Sequence, residues 1–480
     1  MKVQSRRDFI ALMALATAGM TILPYCKKKP AEVDTDEDIL VIGAGIAGLA
    51  AARKLAATGF RVTVLEASQR YGGRIKTVDM GGYKADFGAS WIHGINGNPL
   101  YELANAGGII TKPTYYDPSY IYDIDGTEIT ASEWRTIDRY LGQLVEMAGS
   151  NPDVSLQQLL NELTPELDLS DKMMRLFFGG VRSEIEIPYA VDAPDIAARA
   201  LTTNDSFPGR DVIFPGGMSQ LTDDLAVGLD IRYGTFVSEI SYSGDKVNVF
   251  TKNTADIDSH RSCVACHTGT IVSPLDHDEV FTADRVIVAL PLGILKNEGV
   301  KFDPVLPQDK QAAINSLGIG TMNKIFLRFP DNFWPENGYF FEYLKEDYSK
   351  IIEFFSPTPT GTENIIVAVL AGEHARSMEK KNDDEVRELA MDDLRGMFGS
   401  GIPQPVEMKR TAWHTDPLSL GSYPHLKPGA DLTACDKIAM PLGNKVFFAG
   451  DATSSKYMAT AHGAYISGMD AAEAIILLNS

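Results

Sequence analysis

Asp38-Ile39-Leu40-Val41-Ile42-Gly43-Ala44-Gly45-Ile46-Ala47-Gly48 is the stretch that decides the fold of this chain. The apolar run at 39–42 has the composition of a buried parallel strand, and the glycines at its end open an alanine- and leucine-rich helix. Gly43 permits the tight turn, Gly45 lets backbone approach a pyrophosphate, and Gly48 lets the helix pack close to the strand so that its first N–H groups face the phosphates. A second strand, Arg61-Val62-Thr63-Val64-Leu65, ends at Glu66. That acid lies about 20 residues past the glycines, where a carboxylate accepts ribose hydroxyls and favours a free 2′-hydroxyl. A glycine-rich loop alone can be only a turn. Strand, glycines, helix, strand and acid in this order make a dinucleotide-binding α/β unit.

The residues beyond Glu66 separate flavin from nicotinamide. Arg70 and Gly72-Gly73-Arg74 come just after that acid, and far downstream Lys445-Val446-Phe447-Phe448-Ala449 runs into Gly450-Asp451-Ala452-Thr453. Between them stand Gly88-Ala89-Ser90-Trp91-Ile92-His93-Gly94, Phe214-Pro215-Gly216-Gly217-Met218, Val286-Ile287-Val288-Ala289-Leu290-Pro291-Leu292-Gly293 and Trp413-His414-Thr415-Asp416-Pro417. From about residue 38 to about residue 478 the chain thereby resembles the flavin-containing amine oxidase family, which includes monoamine oxidases, polyamine oxidases and histone lysine demethylases. The resemblance implies an α/β fold, a Rossmann-like FAD-binding domain of the GR2 flavoprotein type joined to a discontinuous α+β substrate domain. It implies FAD held by Gly43, Gly45, Gly48, Glu66, Arg70, Gly73, Arg74, Val237, Trp413 and Asp451. The FAD-binding domain is expected at 38–95, 208–300 and 420–478, and the substrate domain at 96–207 and 301–419. Helical patterns at 156–163 and 172–178 and strand patterns at 324–329, 351–355 and 365–370 fill the substrate segments.

Amine oxidation on FAD moves a hydride equivalent from the carbon beside nitrogen to flavin N5, so the protein must place the amine and keep it neutral. A strand lysine is ordinarily solvated, but in Asn323-Lys324-Ile325-Phe326 the resemblance puts Lys324 at the position that holds a water against N5. Monoamine oxidases sandwich the amine between two aromatic rings. Gly421-Ser422-Tyr423 places Tyr423 at one of these positions, and Thr460 stands at the other, leaving half a sandwich and more room. Ser422 occupies the place of the flavin-bonding cysteine, so FAD is expected to be noncovalent. Small residues Gly463, Ala464 and Gly468 let a helix from about His462 bring its positive end towards the flavin. A lone histidine is ordinarily structural, but the stretch around His93 is similar to that of spermine and acetylpolyamine oxidases, where this histidine faces substrate. No arginine for a substrate carboxylate occurs at 88–93, which favours a polyamine or other amine over an amino acid.

With 480 residues and 44% hydrophobic content, the chain can bury sizeable cores, and its net charge of −20 argues against nucleic acid while suiting a cationic small substrate. Ser5-Arg6-Arg7-Asp8-Phe9-Ile10 has the twin-arginine pattern, and the moderately apolar run at 11–25 comes directly after it. Residues 1–26 are therefore expected to be an export signal to the periplasm and 27–37 a linker, with Cys26 a candidate lipid anchor despite the bulky Tyr25 before it.

One insertion departs from the family. Residues about 253–283 carry Cys263-Val264-Ala265-Cys266-His267, the attachment pattern of a c-type haem, in which the two thiols bind the vinyls and His267 the iron. A Cys263–Cys266 disulfide or a metal clip with His260 or His277 are the alternatives. The electron acceptor is oxygen or a periplasmic cytochrome, and an alternative reading is a periplasmic amine dehydrogenase that passes electrons to a cytochrome or to its own c-type haem instead of oxygen. Cys435 has no evident partner and reads as a buried thiol. A rival reading of another class is a desaturase-like or structural flavin-binding protein, against which Lys324 and Tyr423 stand together.

Overall fold

The computed structural model describes residues 36–116, 119–203, 205–254, 278–357 and 363–479. The twin-arginine stretch, Cys26, Cys263, Cys266 and His267 lie outside them.

The first strand, Asp38–Ile42, is the centre of a five-stranded sheet in the order Val446–Phe448, Arg285–Val288, Asp38–Ile42, Arg61–Leu65, Asp230–Arg232. Every pairing in it is parallel. Parallel strands need crossovers that cover their faces, which explains the continuous apolar runs at 39–42, 286–288 and 446–448. Two helices, Ile46–Ala57 and Ala461–Leu477, meet on one face of this sheet, and their contact requires small residues. A Cβ on Gly468 would lie 2.1 Å from the carbonyl oxygen of Ala47. Strands from distant parts of the sequence thus share one parallel sheet.

A second sheet orders Glu279–Ala283, Val247–Asn253, Thr235–Ser241 and Lys301–Asp303. It corrects the reading of the insertion. The strand that returns to Val247–Asn253 is Glu279–Ala283, antiparallel with Thr251 opposite Glu279, whereas Arg285–Val288 already belongs to the parallel sheet.

The substrate domain is built on a six-stranded sheet in the order Glu407–Arg410, Met322–Arg328, Ile365–Ala371, Glu353–Phe355, Phe340–Tyr343, Ser119–Tyr122. Helices Ala131–Ser150, Leu156–Leu163 and Asp171–Val181 pack a separate leucine-rich core. The first two begin with capping boxes, Thr130 with Glu133 and Ser155 with Gln158, which satisfy their opening N–H groups. The third continues into a π-helical turn at Arg182–Glu186. There the fully buried Arg182 pairs with Glu186 and Asp192, both at 3.0 Å, and donates to the carbonyl of Ala371 at 2.7 Å. A charge with no exposure needs such pairing, because an unpartnered one costs several kcal/mol. Its partners fix the turn Ile187–Tyr189 against the sheet.

Candidate active site

Lys324 sits in the middle of Met322–Arg328 with 4% exposure. Alternation in the strand turns its side chain across the domain boundary, where Nζ donates to the carbonyls of Asp86 at 2.9 Å and Gly88 at 2.6 Å and contacts Ser90 Oγ. Nζ also lies 5.5 Å from the centre of the Trp91 ring. Burial pulls the Lys324 amine down from its ordinary value, and the nearby Asp86 carboxylate only partly opposes this. Burial likewise pushes Asp86 up, against hydrogen bonds from Thr77 and Met218 and the charge of Lys324. The two shifts have one cause, two titratable groups sharing a dry seam between domains. The three acceptors match the three donors of an ammonium, so a water on Nζ requires either the neutral amine or release of one acceptor.

Gly43, φ +99, makes the turn after the first strand, and a Cβ on Gly48 would come within 2.0 Å of the Gly43 carbonyl oxygen. At Gly45 the space that a Cβ would occupy is open, with nothing within 4 Å, and no side chain caps the helix that starts there. An uncapped helix end facing open space beside a bare glycine is a fitting seat for a pyrophosphate. Glu66 accepts from Ala44 N at 2.7 Å and Ser68 N at 2.8 Å, which holds its carboxylate at the rim of the loop. Val237 is buried on the strand Thr235–Ser241, whose first residue donates to the Glu66 carbonyl at 2.9 Å. At the other end, the buried His462 on the first turn of Ala461–Leu477 has an Nε2 with no hydrogen-bond partner among the described residues. These features fit a dinucleotide lying from Glu66 past Gly45 towards that helix.

Several of the residues expected at the cofactor also brace the backbone around it. Arg70 donates to the carbonyls of Tyr71 at 3.0 Å, Gly73 at 2.6 Å and Ile75 at 3.3 Å, so its guanidinium shapes the Gly72-Gly73 turn from behind. Burial lowers its pKa. Gly73 is required by proximity, since its Cβ would lie 3.3 Å from Gly45 Cα. Both carboxylate oxygens of Asp451 are taken by Arg74 in a bidentate pair at 2.8 Å, and Arg74 also reaches the Ser422 carbonyl at 2.8 Å. Arg74 and Asp451 thus clamp the two ends of the sequence together. Trp413 is 7% exposed and donates Nε1–H to the Phe87 carbonyl at 3.2 Å, packing beneath Gly88.

Tyr423 is half-buried, and its hydroxyl donates to the Pro188 carbonyl at 2.9 Å, so the turn that continues the π-helical segment positions the ring. Burial pushes its phenol up. Thr460 caps the last helix. Its Oγ1 accepts from Gly463 N at 2.9 Å and donates to the Tyr457 carbonyl at 2.8 Å, so it offers the site only a methyl group. Aromatic surface beside it comes from residues that carry no motif in the sequence, Tyr457 stacked on Phe207 at 4.7 Å. Beyond Trp91 a second aromatic group gathers Tyr339, Phe340 and Phe355, with the Trp91 and Phe355 rings 5.1 Å apart.

Ser422 Oγ accepts from Met322 N at 2.7 Å and donates to the Met322 carbonyl at 3.0 Å. A hydroxyl held this way has no means of bonding a flavin, so acid precipitation of the purified protein should leave yellow cofactor in the supernatant. Flavin retained in the pellet would refute a noncovalent site. Cys435 is fully buried with its thiol pushed up to about 12, mainly by burial, as a structural thiol should be. No metal-binding cluster occurs among the described residues.

His93 makes no hydrogen bond to the groups around Lys324. Its side chain is 54% exposed, and Nδ1 lies 2.9 Å from Asp211, a residue that no sequence motif singles out.

A sequence model of the family described as flavin containing amine oxidoreductase matches residues 46–476. The lysine-specific histone demethylase 1 homolog 2 of Arabidopsis thaliana is 31% identical over 99% of this chain, which spans 63% of that relative's length. Polyamine oxidase 2 of Arabidopsis thaliana is 31% identical over 91% of this chain and 87% of its own. Among solved structures, putrescine oxidase bound to putrescine superposes with a TM-score of 0.71 at 20% identity, covering 92% of this chain and 99% of that one. That last likeness concerns the fold. Glycine cradle, interdomain lysine and matched length together place this chain in the flavin containing amine oxidoreductase family.

Proposed function

We propose that the chain oxidises a polyamine-like amine with FAD, removing a hydride and a proton across a C–N bond to give an imine that water converts to an aldehyde and a smaller amine. The observation that carries this reading is Lys324, a buried amine between Asp86, Gly88 and the Trp91 face, next to a glycine cradle fitting a dinucleotide. When bound, FAD supplies the ring that accepts the hydride. The chain's own part is to seat the amine against Tyr423 and Trp91, to exclude water at a seam of buried side chains, and to hold a proton at Lys324 Nζ whose release burial makes easier. The net charge of −20 and the absence of an arginine at 88–93 suit a cationic amine without a carboxylate. A polyamine oxidase among the relatives supports the same class. Anaerobic titration of the purified flavoprotein with putrescine, spermidine, N-methyl-lysine and simple monoamines tests it. Bleaching by at least one amine is expected, and a flavin that none of them bleaches would point to a desaturase-like or binding role.

We also propose that the protein acts after twin-arginine export to the periplasm, with Cys26 as a lipid anchor, and hands electrons to oxygen or a periplasmic cytochrome. Cys263, Cys266 and His267 would then hold the haem of such a route. A covalent pyridine haemochrome in protein from a host with cytochrome c maturation would support this. Full activity without haem from such a host would overturn the haem and leave a disulfide or a metal clip for the pair.

A further inference from the structure

The strands Trp91–Ile92 and Val212–Ile213 are antiparallel, with Trp91 opposite Ile213 and Ile92 opposite Val212. Continuing that register by one residue sets His93 across from Asp211. The third strand, Lys112–Pro113, pairs on the other side of Val212–Ile213, and the Thr114 N–H donates to the Asp211 carbonyl at 2.9 Å. Asp211 therefore stands just before the middle of three strands, and its carboxylate collects a partner from each neighbour. His93 Nδ1 lies 2.9 Å and the Tyr116 hydroxyl 2.6 Å from Oδ2, and Gly94 N donates to Oδ1 at 2.8 Å. Tyr116 is itself stacked on Phe340 at 5.4 Å, within the aromatic group beyond Trp91.

A carboxylate with these partners is ionised and accepts only. Burial works against it, but the charge and hydrogen bond of His93, the Tyr116 hydroxyl and the Gly94 N–H bring Asp211 down to about 2. His93 Nδ1 must then carry the hydrogen, which leaves Nε2 as the end of the ring without a partner among the described residues. The Asp211 side chain is only 16% exposed while that of His93 is 54% exposed, so the anion is the deeper of the two and the imidazole is half covered. Two residues back along the same strand, Trp91 lies over Lys324 Nζ. On the far side the charge of His93 reaches His462, on the first turn of the C-terminal helix, which stays neutral with its pKa brought to about 3 by burial and then by His93. His93 thus belongs to the strip that runs from Lys324 to the helix end expected over the flavin.

We propose that Asp211 is a positioning residue of the amine site, fixing His93 as the Nδ1–H tautomer so that its Nε2 lone pair accepts an N–H from the substrate's cationic nitrogen. The inference rests on the amine-oxidising function proposed above and on the substrate-facing place expected of His93, and adds the residue that sets that histidine's tautomer. It carries a sign. The titratable groups facing His93 are Asp211, Tyr116 and His462. Although burial opposes it, the Asp211 charge and hydrogen bond raise the His93 pKa above its ordinary 6.5. Below that value the pair is imidazolium with carboxylate, neutral overall, and Nε2–H repels an ammonium. Above it the pair carries one negative charge and offers a lone pair. Affinity for a cationic amine should therefore rise as pH increases through the His93 pKa.

Nitrogen NMR of 15N-histidine-labelled holoenzyme, with His93 assigned through His93→Gln, reads the tautomer and the titration. Spermidine affinity is followed by perturbation of the flavin spectrum between pH 5.5 and 8.5. The expected result is an Nδ1–H tautomer, a titration above the ordinary histidine value, and spermidine affinity rising at least about tenfold through it, as loss of one charge-assisted hydrogen bond implies. Asp211→Asn should move the inflection to lower pH and weaken spermidine at pH 8. Tyr116→Phe, which keeps the carboxylate but removes a hydrogen bond to it, should move the inflection the opposite way. A merely structural lesion would not shift the two variants in opposite directions. A bare Nδ1, or an inflection unmoved in both variants, overturns the proposal. Should no amine perturb or bleach the flavin, the amine-oxidising function falls instead, while the tautomer and titration of His93 still decide the role of Asp211.

Discussion

Lys324→Met should retain FAD and the fold yet bleach at least about tenfold more slowly with amine under anaerobic conditions, about 1.4 kcal/mol of lost transition-state stabilisation. Methionine approximates the length and apolar stem of the lysine, so the strand Met322–Arg328 and its pairing with Ile365–Ala371 need not change. What disappears is the nitrogen at the Asp86, Gly88 and Ser90 acceptors and the proton it holds. Loss of Nζ also leaves the Asp86 and Gly88 carbonyls short of one donor each, which would cost stability rather than rate if that were the lysine's main work. The two roles are separated by measuring thermal midpoint and single-turnover reduction on the same sample. A lowered midpoint with unchanged reduction would make Lys324 a tie between domains. Unchanged midpoint with slow reduction would make it part of the chemistry, and Lys324→Arg should then fail to restore the rate, because a guanidinium keeps its proton.

The FAD half of the molecule was legible because its constraints are local. A buried parallel strand, a glycine turn and an acid at the end of the next strand each leave a residue type that few alternatives explain, and Asp38–Ile42 and Arg61–Leu65 fall where the pattern puts them, as does the helix Leu156–Leu163 of the substrate domain. The fifth strand, Asp230–Arg232, escaped because its alternating exposed residues at the sheet edge carry no apolar run. The return strand Glu279–Ala283 escaped for the same reason. The π-helical turn at Arg182–Glu186 has no periodic signature at all, being set by a buried ion network whose members come from three places in the chain. Site residues divided in the same way. Lys324 and Tyr423 were placed by motif, whereas Asp211 reaches His93 only through strand register, which one sequence does not display. Arg70 and Asp451 illustrate the converse. A charged residue beside a cofactor loop can also brace backbone, as Arg70 does, or pair with another charge, as Asp451 does, and sequence alone does not display those partner atoms.

The glycines of the loop should separate into two classes when substituted, although the sequence writes them alike. Gly48→Ala places a methyl 2.0 Å from the Gly43 carbonyl oxygen and 3.2 Å from Val41 Cγ1. The first obstacle is backbone held in a turn with φ +99, so the helix must move off the strand. Overpacking of this kind costs about 3 kcal/mol or more, and the variant should purify with a lowered thermal midpoint even as apoprotein. Gly45→Val differs in every respect. Gly45 has φ −70 and ψ 175, a conformation valine adopts readily, and no atom lies within 4 Å of the added Cβ. The apoprotein should therefore melt where the wild-type apoprotein melts. Its FAD affinity should nonetheless fall by at least about a hundredfold, about 2.7 kcal/mol, because the side chain fills the space through which a pyrophosphate reaches the N–H groups of Ile46–Ala57. Melting curves with and without added FAD check both substitutions. If Gly45→Val binds FAD like the wild type, the open space at that glycine is not the pyrophosphate seat, and the cofactor must cross the loop elsewhere.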